Sequence, residues 1–348
     1  MGNKTNPLQK AVTENIGSDD KVLLGVLNWG LGHATRCIPL IKELKNNASK
    51  VIIASDGVTL EILRQQFPEL EFLNLPSYKV SYAYKSAILN FLLLSPNFLK
   101  ASFQEYFMVK KYVHSNQISI VISDNRFGFW AKGVKNIYIS HQLNILHKNK
   151  FVSQIATKIH EKIISKFEQC WIPDFDDKDN LSGDLSSNTS IRNRVYLGPL
   201  TRIRKVKMAI QYDIFILLSG PEPQRSILEE KLLSIFQNGT LRILMVRGSE
   251  KELNFKLTTN HIKVIDLANS SEVENALNSS RILITRSGYS TLMDINELDL
   301  KTIFIPTPGQ TEQEYLAEKM KSKPNYDSID QKSVEMIHDR VNKLLRLN

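Results

Sequence analysis

Apolar positions along this chain fall into short, nearly continuous blocks. Between the blocks they recur three and four residues apart. Continuous apolar runs bounded by polar residues or glycine predict strands buried on both faces. They cover residues 21–27, 51–54, 71–75, 118–123, 136–139 and 169–172 in the first half, and 213–218, 241–246, 261–265, 281–285 and 302–305 in the second. The intervening spacing predicts helices over 33–45, 58–66, part of 86–114 and 152–167, then 224–236, 271–278, 289–297, 312–321 and 332–345. Strands that alternate with helices in this way imply an α/β chain with parallel sheets, because a crossover is needed before each parallel neighbour.

The break between the two halves falls in residues 198–209, where Gly198-Pro199 precedes a basic stretch. Two Rossmann-like, doubly wound domains follow from this, over 21–205 and 206–330, facing a cleft lined by loops at the carboxyl ends of their strands. The 348 residues suit two domains of ordinary size. The first twenty residues are polar and mixed in charge, and read as a flexible tail. The terminal helix, 331–348, is expected to pack back on the N-terminal domain.

With 42% hydrophobic residues the core needs no staple. Cys37 and Cys170 are the only cysteines and neither has a partner at metal-ligand spacing, which points to a reducing, cytoplasmic setting and no zinc site. No apolar run approaches the roughly 20 residues of a membrane span. The formal charge of +9 favours an anionic partner. Arg192, Arg194, Arg202, Arg204, Lys205 and Lys207 crowd into one stretch without an acid. No nucleic-acid module accompanies it, so phosphorylated ligands or an anionic membrane surface are the remaining candidates. Residues 80–111 mix aromatic and aliphatic residues with lysines. They suit a core helix, or a segment that holds the protein peripherally at the inner face of a membrane beside a lipid-linked acceptor.

Candidate chemistry sits where strands give way to helices. The strand ending at Thr285 is followed by Arg286-Ser287-Gly288 and a helix opening near Tyr289 and Ser290. Unpaired N–H groups at a helix start beside a glycine form an anion site, and Asp294, one to two turns on, could hold a ribose hydroxyl. Gln310, Gln313 and Glu314 occupy the next helix start and suit a sugar. Ser219-Gly220 follows the first strand of the second half and suits a pyrophosphate, although Pro221 and Pro223 cannot donate there. In the first half, Gly30-Leu31-Gly32-His33 follows the first strand, with Asp56 about twenty residues on. This nearly matches a dinucleotide fingerprint, but Thr35 replaces its third glycine. His33 could act as a base there. Asp124, Asn125 and His141 also follow apolar strands, and Asp124 is the alternative base. Asp174-Phe-Asp-Asp177 contains an Asp-x-Asp, a weak metal signal that is set aside.

Taken in order, the Gly30-x-Gly32-His33 loop, the Ser219-Gly220 loop, the Arg286-Ser287-Gly288…Asp294 segment and the Pro306…Gln313-Glu314 motif resemble those of GT-B nucleotide-sugar glycosyltransferases. Among them they are similar to the N-acetylglucosaminyltransferase that forms lipid II. A tighter match is to a group of functionally unassigned glycosyltransferases carrying Gly-Leu-Gly-His-Ala-Thr-Arg and Pro-Thr-Pro-Gly-Gln-Thr-Glu-Gln-Glu. The resemblance implies an acceptor domain followed by a donor domain. It also implies Asp294 on the ribose, Gln313 on the sugar, and Ser219, Gly220, Ser287 and Gly288 around the pyrophosphate. Transfer of a hexose or N-acetylhexosamine from UDP to a saccharide or lipid-linked hydroxyl, inverting and without a metal or other cofactor, is the expected activity. An epimerase or hydrolase of the same fold, or a non-catalytic nucleotide-sugar-binding subunit, is the alternative.

Overall fold

The computed structural model describes residues 6–78, 96–187, 189–249, 253 and 255–346. The chain divides into two compact units, Met1–Arg202 and Ile203–Asn348.

The first unit is built on a seven-stranded parallel sheet, ordered β3-β2-β1-β4-β5-β6-β7. Its strands are β1 (Lys21–Val26), β2 (Lys50–Ser55), β3 (Glu71–Asn74), β4 (Ile120–Asp124), β5 (Lys135–Ile139), β6 (Gln169–Ile172) and β7 (Arg194–Tyr196). Every residue of β4 is buried, as are five of the six in β1 and β2, which explains why these strands read as continuous apolar runs. The helices are α1 (Pro7–Asn15), α2 (Leu31–Asn47), α3 (Gly57–Gln66), α4 (Pro96–Asn116) and α5 (Lys150–Ile164). Where the helical stretch within 86–114 falls on 86–95, it lies outside the described residues.

The second unit has a six-stranded parallel sheet, ordered β10-β9-β8-β11-β12-β13. Its strands are β8 (Tyr212–Leu217), β9 (Ile243–Val246), β10 (Ile262–Ile265), β11 (Ser280–Thr285), β12 (Lys301–Phe304) and β13 (Tyr326–Ser328). Its helices are α6 (Gln224–Phe236), α7 (Ser270–Asn278), α8 (Tyr289–Ile295), α9 (Thr311–Met320) and α10 (Ile337–Arg346).

One expectation about the ends of the chain is corrected. Residues 7–15 of the supposed tail form α1, capped by Asn6, whose side chain accepts from Leu8 N at 3.0 Å. Leu8, Ala11 and Val12 are buried, an apolar stripe three and four residues apart within a polar sequence. The terminal segment begins as a 3-10 turn over Gln331–Met336 before α10. Val334, Ile337, Val341 and Leu344 join the second unit's core with Ile282, Ile284 and Ile303. The edge strands β7 and β13 are too short and too polar to show as apolar blocks.

Candidate active site

In the first sheet the chain leaves β1 toward β2 on one side and later returns to β4 on the other. The crevice at the carboxyl ends of β1 and β4 is therefore its switch point, where open α/β sheets bind ligands. Asp124 is the last residue of β4, and His33 lies in the first turn of α2, just after β1. Gly30 makes this turn possible. It caps α2 with φ 85°, in the left-handed region that favours glycine, and nothing lies within 4 Å of where a Cβ would be. Gly32 follows in the first turn and its carbonyl accepts from Thr35 Oγ1.

Three side chains close on the Asp124 carboxylate, which is fully buried. His33 Nδ1 lies 2.9 Å from Asp124 Oδ2, and Cys37 Sγ donates to the same oxygen at 3.3 Å. Arg36 grips both oxygens, with Nε 3.3 Å from Oδ2 and Nη2 on Oδ1. Its Nη1 lies 3.2 Å from His141 Nδ1. His33, Arg36 and Cys37 stand at i, i+3 and i+4, one face of α2. Arg36 carried no assigned role in the sequence, although this spacing from His33 signals it. Burial alone would raise the Asp124 pKa, but Arg36 and His33 outweigh it and hold the carboxyl well below its usual range. Burial and then Arg36 lower the His33 pKa, and Asp124 offsets part of this.

The Nδ1 atom of His33 is also 2.9 Å from Arg36 Nη2, and it can serve only one of the two neighbours. Donation to Asp124 leaves the lone pair on Nε2. Acceptance from Arg36 would put the proton there instead.

The remaining candidates of this unit are held structurally. Asn125, at φ 60°, accepts from Tyr138 OH at 2.7 Å. Asp56 is buried against Arg126, whose Nη1 donates to it at 2.7 Å, and Arg126 also holds Glu105. That pairing commits the carboxylate which the dinucleotide reading would place on a ribose. Asp174 accepts from Phe175 N, Leu181 N and Ser182 N, each at 2.8 Å, so its oxygens organise their own loop.

The second sheet has its switch point between β8 and β11. The turns after these two strands carry Ser219-Gly220 and Arg286-Ser287-Gly288, and the turn after β12 leads to Gln310, Gln313 and Glu314. Ser219 and Gly220 are exposed, and Gly220 has φ 104°. A Cβ there would stand 3.4 Å from Thr307 Oγ1, so the first turn lies against the third. Ser287 Oγ donates to Gln313 O at 2.7 Å, tying the second turn to the third. The third turn is closed by its own helix. Gln313 Oε1 accepts from Thr307 N at 2.8 Å and Glu314 Oε1 from Gly309 N at 2.9 Å. Gly288 caps α8, Tyr289 is buried, and Ser290 and Asp294 are half-buried. Arg286 is buried beneath all three turns. It donates to Ile305 O at 3.0 Å, Pro306 O at 3.2 Å and Gln224 O at 2.9 Å.

Residues 224–348 match the glycosyltransferase family 28 C-terminal domain. The second unit is thus similar, over most of its length, to a glycosyltransferase domain. The whole chain shares its fold with solved GT-B enzymes. The glycotransferase of kitacinnamycin is 12% identical with a TM-score of 0.69, covering 94% of this chain and 91% of that one. MurG of Acinetobacter baumannii is 12% identical with a TM-score of 0.52, covering 93% and 89%. A Listeria monocytogenes protein described as a UDP-N-acetylglucosamine 2-epimerase is 13% identical with a TM-score of 0.61, covering 95% and 89%. No curated protein matches this sequence.

Within the second unit, Glu312 and Glu314 lie in the first turn of α9. Two carboxylates there oppose a diphosphate and favour neutral hydroxyls, which separates the α9 start from the starts of α6 and α8. Among the described residues no helix is long and apolar enough to cross a membrane.

Proposed function

We propose that this protein transfers a hexose or N-acetylhexosamine from UDP to an acceptor hydroxyl with inversion, and that His33 is the base. The observation that carries the proposal is the His33–Asp124 pair at the switch point of the first sheet. Of the two neighbours of Nδ1, we take Asp124 as its partner, because a carboxylate can only accept and the N–H to carboxylate bond is charge-assisted. The Nδ1 proton then stays on the carboxylate side, and Nε2 is the basic atom. As the acceptor oxygen bonds to the anomeric carbon, the bond from that carbon to the diphosphate oxygen breaks. The hydroxyl proton passes to Nε2, and the electron pair leaves with UDP. Arg36 keeps Asp124 ionised, so the imidazolium that forms faces a full negative charge.

The donor reading rests on the second unit. The turns after β8 and β11 suit the diphosphate, Asp294 the ribose, and Gln310 and Gln313 the sugar. Helix starts supply the charge stabilisation that a metal supplies elsewhere, and turnover should survive chelation. Asp294→Ala should weaken UDP binding by about 1–3 kcal/mol, the loss of one charged hydrogen bond. Calorimetry on the folded variant checks this, and an unchanged affinity would remove Asp294 from the ribose.

The membrane reading gains support from the first unit. Helix α4 exposes Leu99, Phe103 and Phe107, and α5 exposes Phe151 and Ile155. Lys100, Lys110, Lys111, Lys150, Lys158 and Lys162 are exposed on the same two helices, while Glu105 is buried and Glu161 half-buried. An apolar face flanked by unopposed lysines suits an anionic bilayer surface and a lipid-linked acceptor. Of the 80–111 stretch that the sequence marks for such a surface, residues 80–95 lie outside the described residues.

Release of UDP from UDP-sugars, with and without added saccharide or polyprenyl-phosphate acceptors, tests the activity. Acceptor-dependent release supports transfer. Acceptor-independent release with a free sugar product would favour the hydrolase or epimerase, the activity named for the Listeria neighbour. Binding without release would favour a carrier.

A further inference from the structure

Five arginines are buried among the described residues. Four of them hold carboxylates: Arg36 holds Asp124, Arg126 holds Asp56 and Glu105, Arg225 holds Glu222 and Glu229, and Arg247 holds Glu229 and Asp266. Arg286 differs. At 1% exposure it donates to three carbonyl oxygens, its Nε has no partner, and no ion pair reaches it among the described residues. Burial, with no carboxylate to oppose it, lowers its pKa to about 10.

A buried cation held by neutral dipoles alone carries most of its desolvation cost. The three carbonyls belong to Gln224, the first residue of α6, and to Ile305 and Pro306, in the turn before α9. The Arg286 backbone itself leads into α8. A second unsatisfied donor lies in the same turns. Thr307 Oγ1, in a residue 2% exposed, has no partner and stands beside Gly220. The nearby acids are engaged elsewhere, Glu222 with Arg225 and Ser226, and Glu314 with Gly309 N.

We infer that Arg286 is the fixed counter-charge of the donor site, a positioning residue that ties three turns together and gains its anionic partner when a nucleoside diphosphate binds at them. The inference rests on the donor reading above. The guanidinium forks are occupied by carbonyls, so Arg286 acts through charge and through the turns it holds, not by direct grip. Its effect should therefore follow ligand charge. A ligand with the same base and ribose but no phosphate should not sense it.

Titration calorimetry with UDP and with uridine, on the full chain and on Arg286→Met and Arg286→Lys, separates the cases. Arg286→Met should weaken UDP roughly 10- to 100-fold, the range of a lost charge-assisted contact, and leave uridine unchanged. The salt dependence of UDP binding should become shallower in the same variant. Arg286→Lys, which keeps the charge and loses the fork, should retain most of the preference for UDP over uridine. Equal weakening of UDP and uridine in the methionine variant would reduce Arg286 to a structural tie and overturn the inference, as would unchanged UDP affinity. If the methionine variant does not fold, the lysine variant decides. Preference retained supports the inference, and preference lost with uridine binding intact overturns it. A wild-type protein that binds neither UDP nor TDP would remove the donor reading itself.

Discussion

His33 works through a proton balance set by its neighbours. Burial lowers its pKa most, Arg36 lowers it further, and Asp124 restores part. The net shift is downward, so the neutral, basic form persists below the ordinary histidine range. The acid limb of kcat/KM against pH should therefore have its midpoint below 6.5, the unperturbed value, and activity should rise with pH through it. His33→Ala should lower kcat by roughly 10²–10⁴ while UDP affinity holds. Steady-state kinetics beside calorimetry checks both halves, and full activity in this variant would move the base to Asp124 or His141. Asp124→Asn should slow turnover as well, because the amide no longer holds the Nδ1 proton as a carboxylate does. It should also destabilise the fold, since Arg36 loses its charge partner in a buried site.

At the scale of elements, α4 is locked to the β4–β5 connection by contact too close for any side chain. A Cβ on Gly128 would stand 2.1 Å from the backbone oxygen of Ser102 and 3.0 Å from Glu105 Oε2. Glu105 is the residue that holds Arg126, and Arg126 in turn holds Asp56 at the end of β2. Gly128→Ala should therefore cost at least the roughly 1–3 kcal/mol of ordinary overpacking, because backbone must move and a buried ion network moves with it. The urea midpoint measures this, and a wild-type midpoint would mean that α4 slides freely. The helices differ in how they are begun. Asn269 and Glu272 form a reciprocal capping box at α7. At α2, α6, α8 and α9, the helices whose starts carry the candidate chemistry, the N-cap residue makes no side-chain hydrogen bond, although Glu222 accepts from Ser226 N in the first turn of α6.

For the molecule as a whole, acid should weaken the fold at pH values where most proteins tolerate it. His160 is buried against Tyr138 and Phe127, and burial lowers its pKa from 6.5 to about 4. Between those values the unfolded chain holds a proton that the native chain lacks. Stability is then full above pH 6.5 and falls as the pH drops toward 4, by up to about 1.4 kcal/mol per pH unit. Thermal melts from pH 7 to 4.5 should show this slope, and His160→Gln should flatten it. The lysine-flanked face of α4 and α5 makes a separate prediction. Binding to vesicles of anionic phospholipid should weaken with added salt and with joint replacement of Lys100, Lys110 and Lys111, while turnover of a soluble acceptor stays unchanged. Binding indifferent to both would return this face to plain surface.

Much of this architecture is legible in the chain alone. Strands buried on both faces must be apolar throughout, and helices on a sheet must be apolar on one stripe, so β1, β2, β4, β8 and β11 declare themselves, as do the helices that follow β1, β2, β8 and β11. The loop glycines likewise mark the turns that open α2 and α6, because Gly30 and Gly220 adopt positive φ. Strand order is different. Nothing local to β1 says that β4 lies beside it, yet that adjacency brings Asp124 to His33 across 91 residues of sequence. The same holds for Arg126 with Asp56 and Glu105, for α1 and α10 finding their own sheets, and for Arg286. As a residue type in a turn it reads as a ligand contact. Only the folded chain places it beneath three turns, with carbonyls for partners and no carboxylate. Local pattern records what each segment must bury, whereas the pairing of distant polar groups is decided when the sheets close and water leaves.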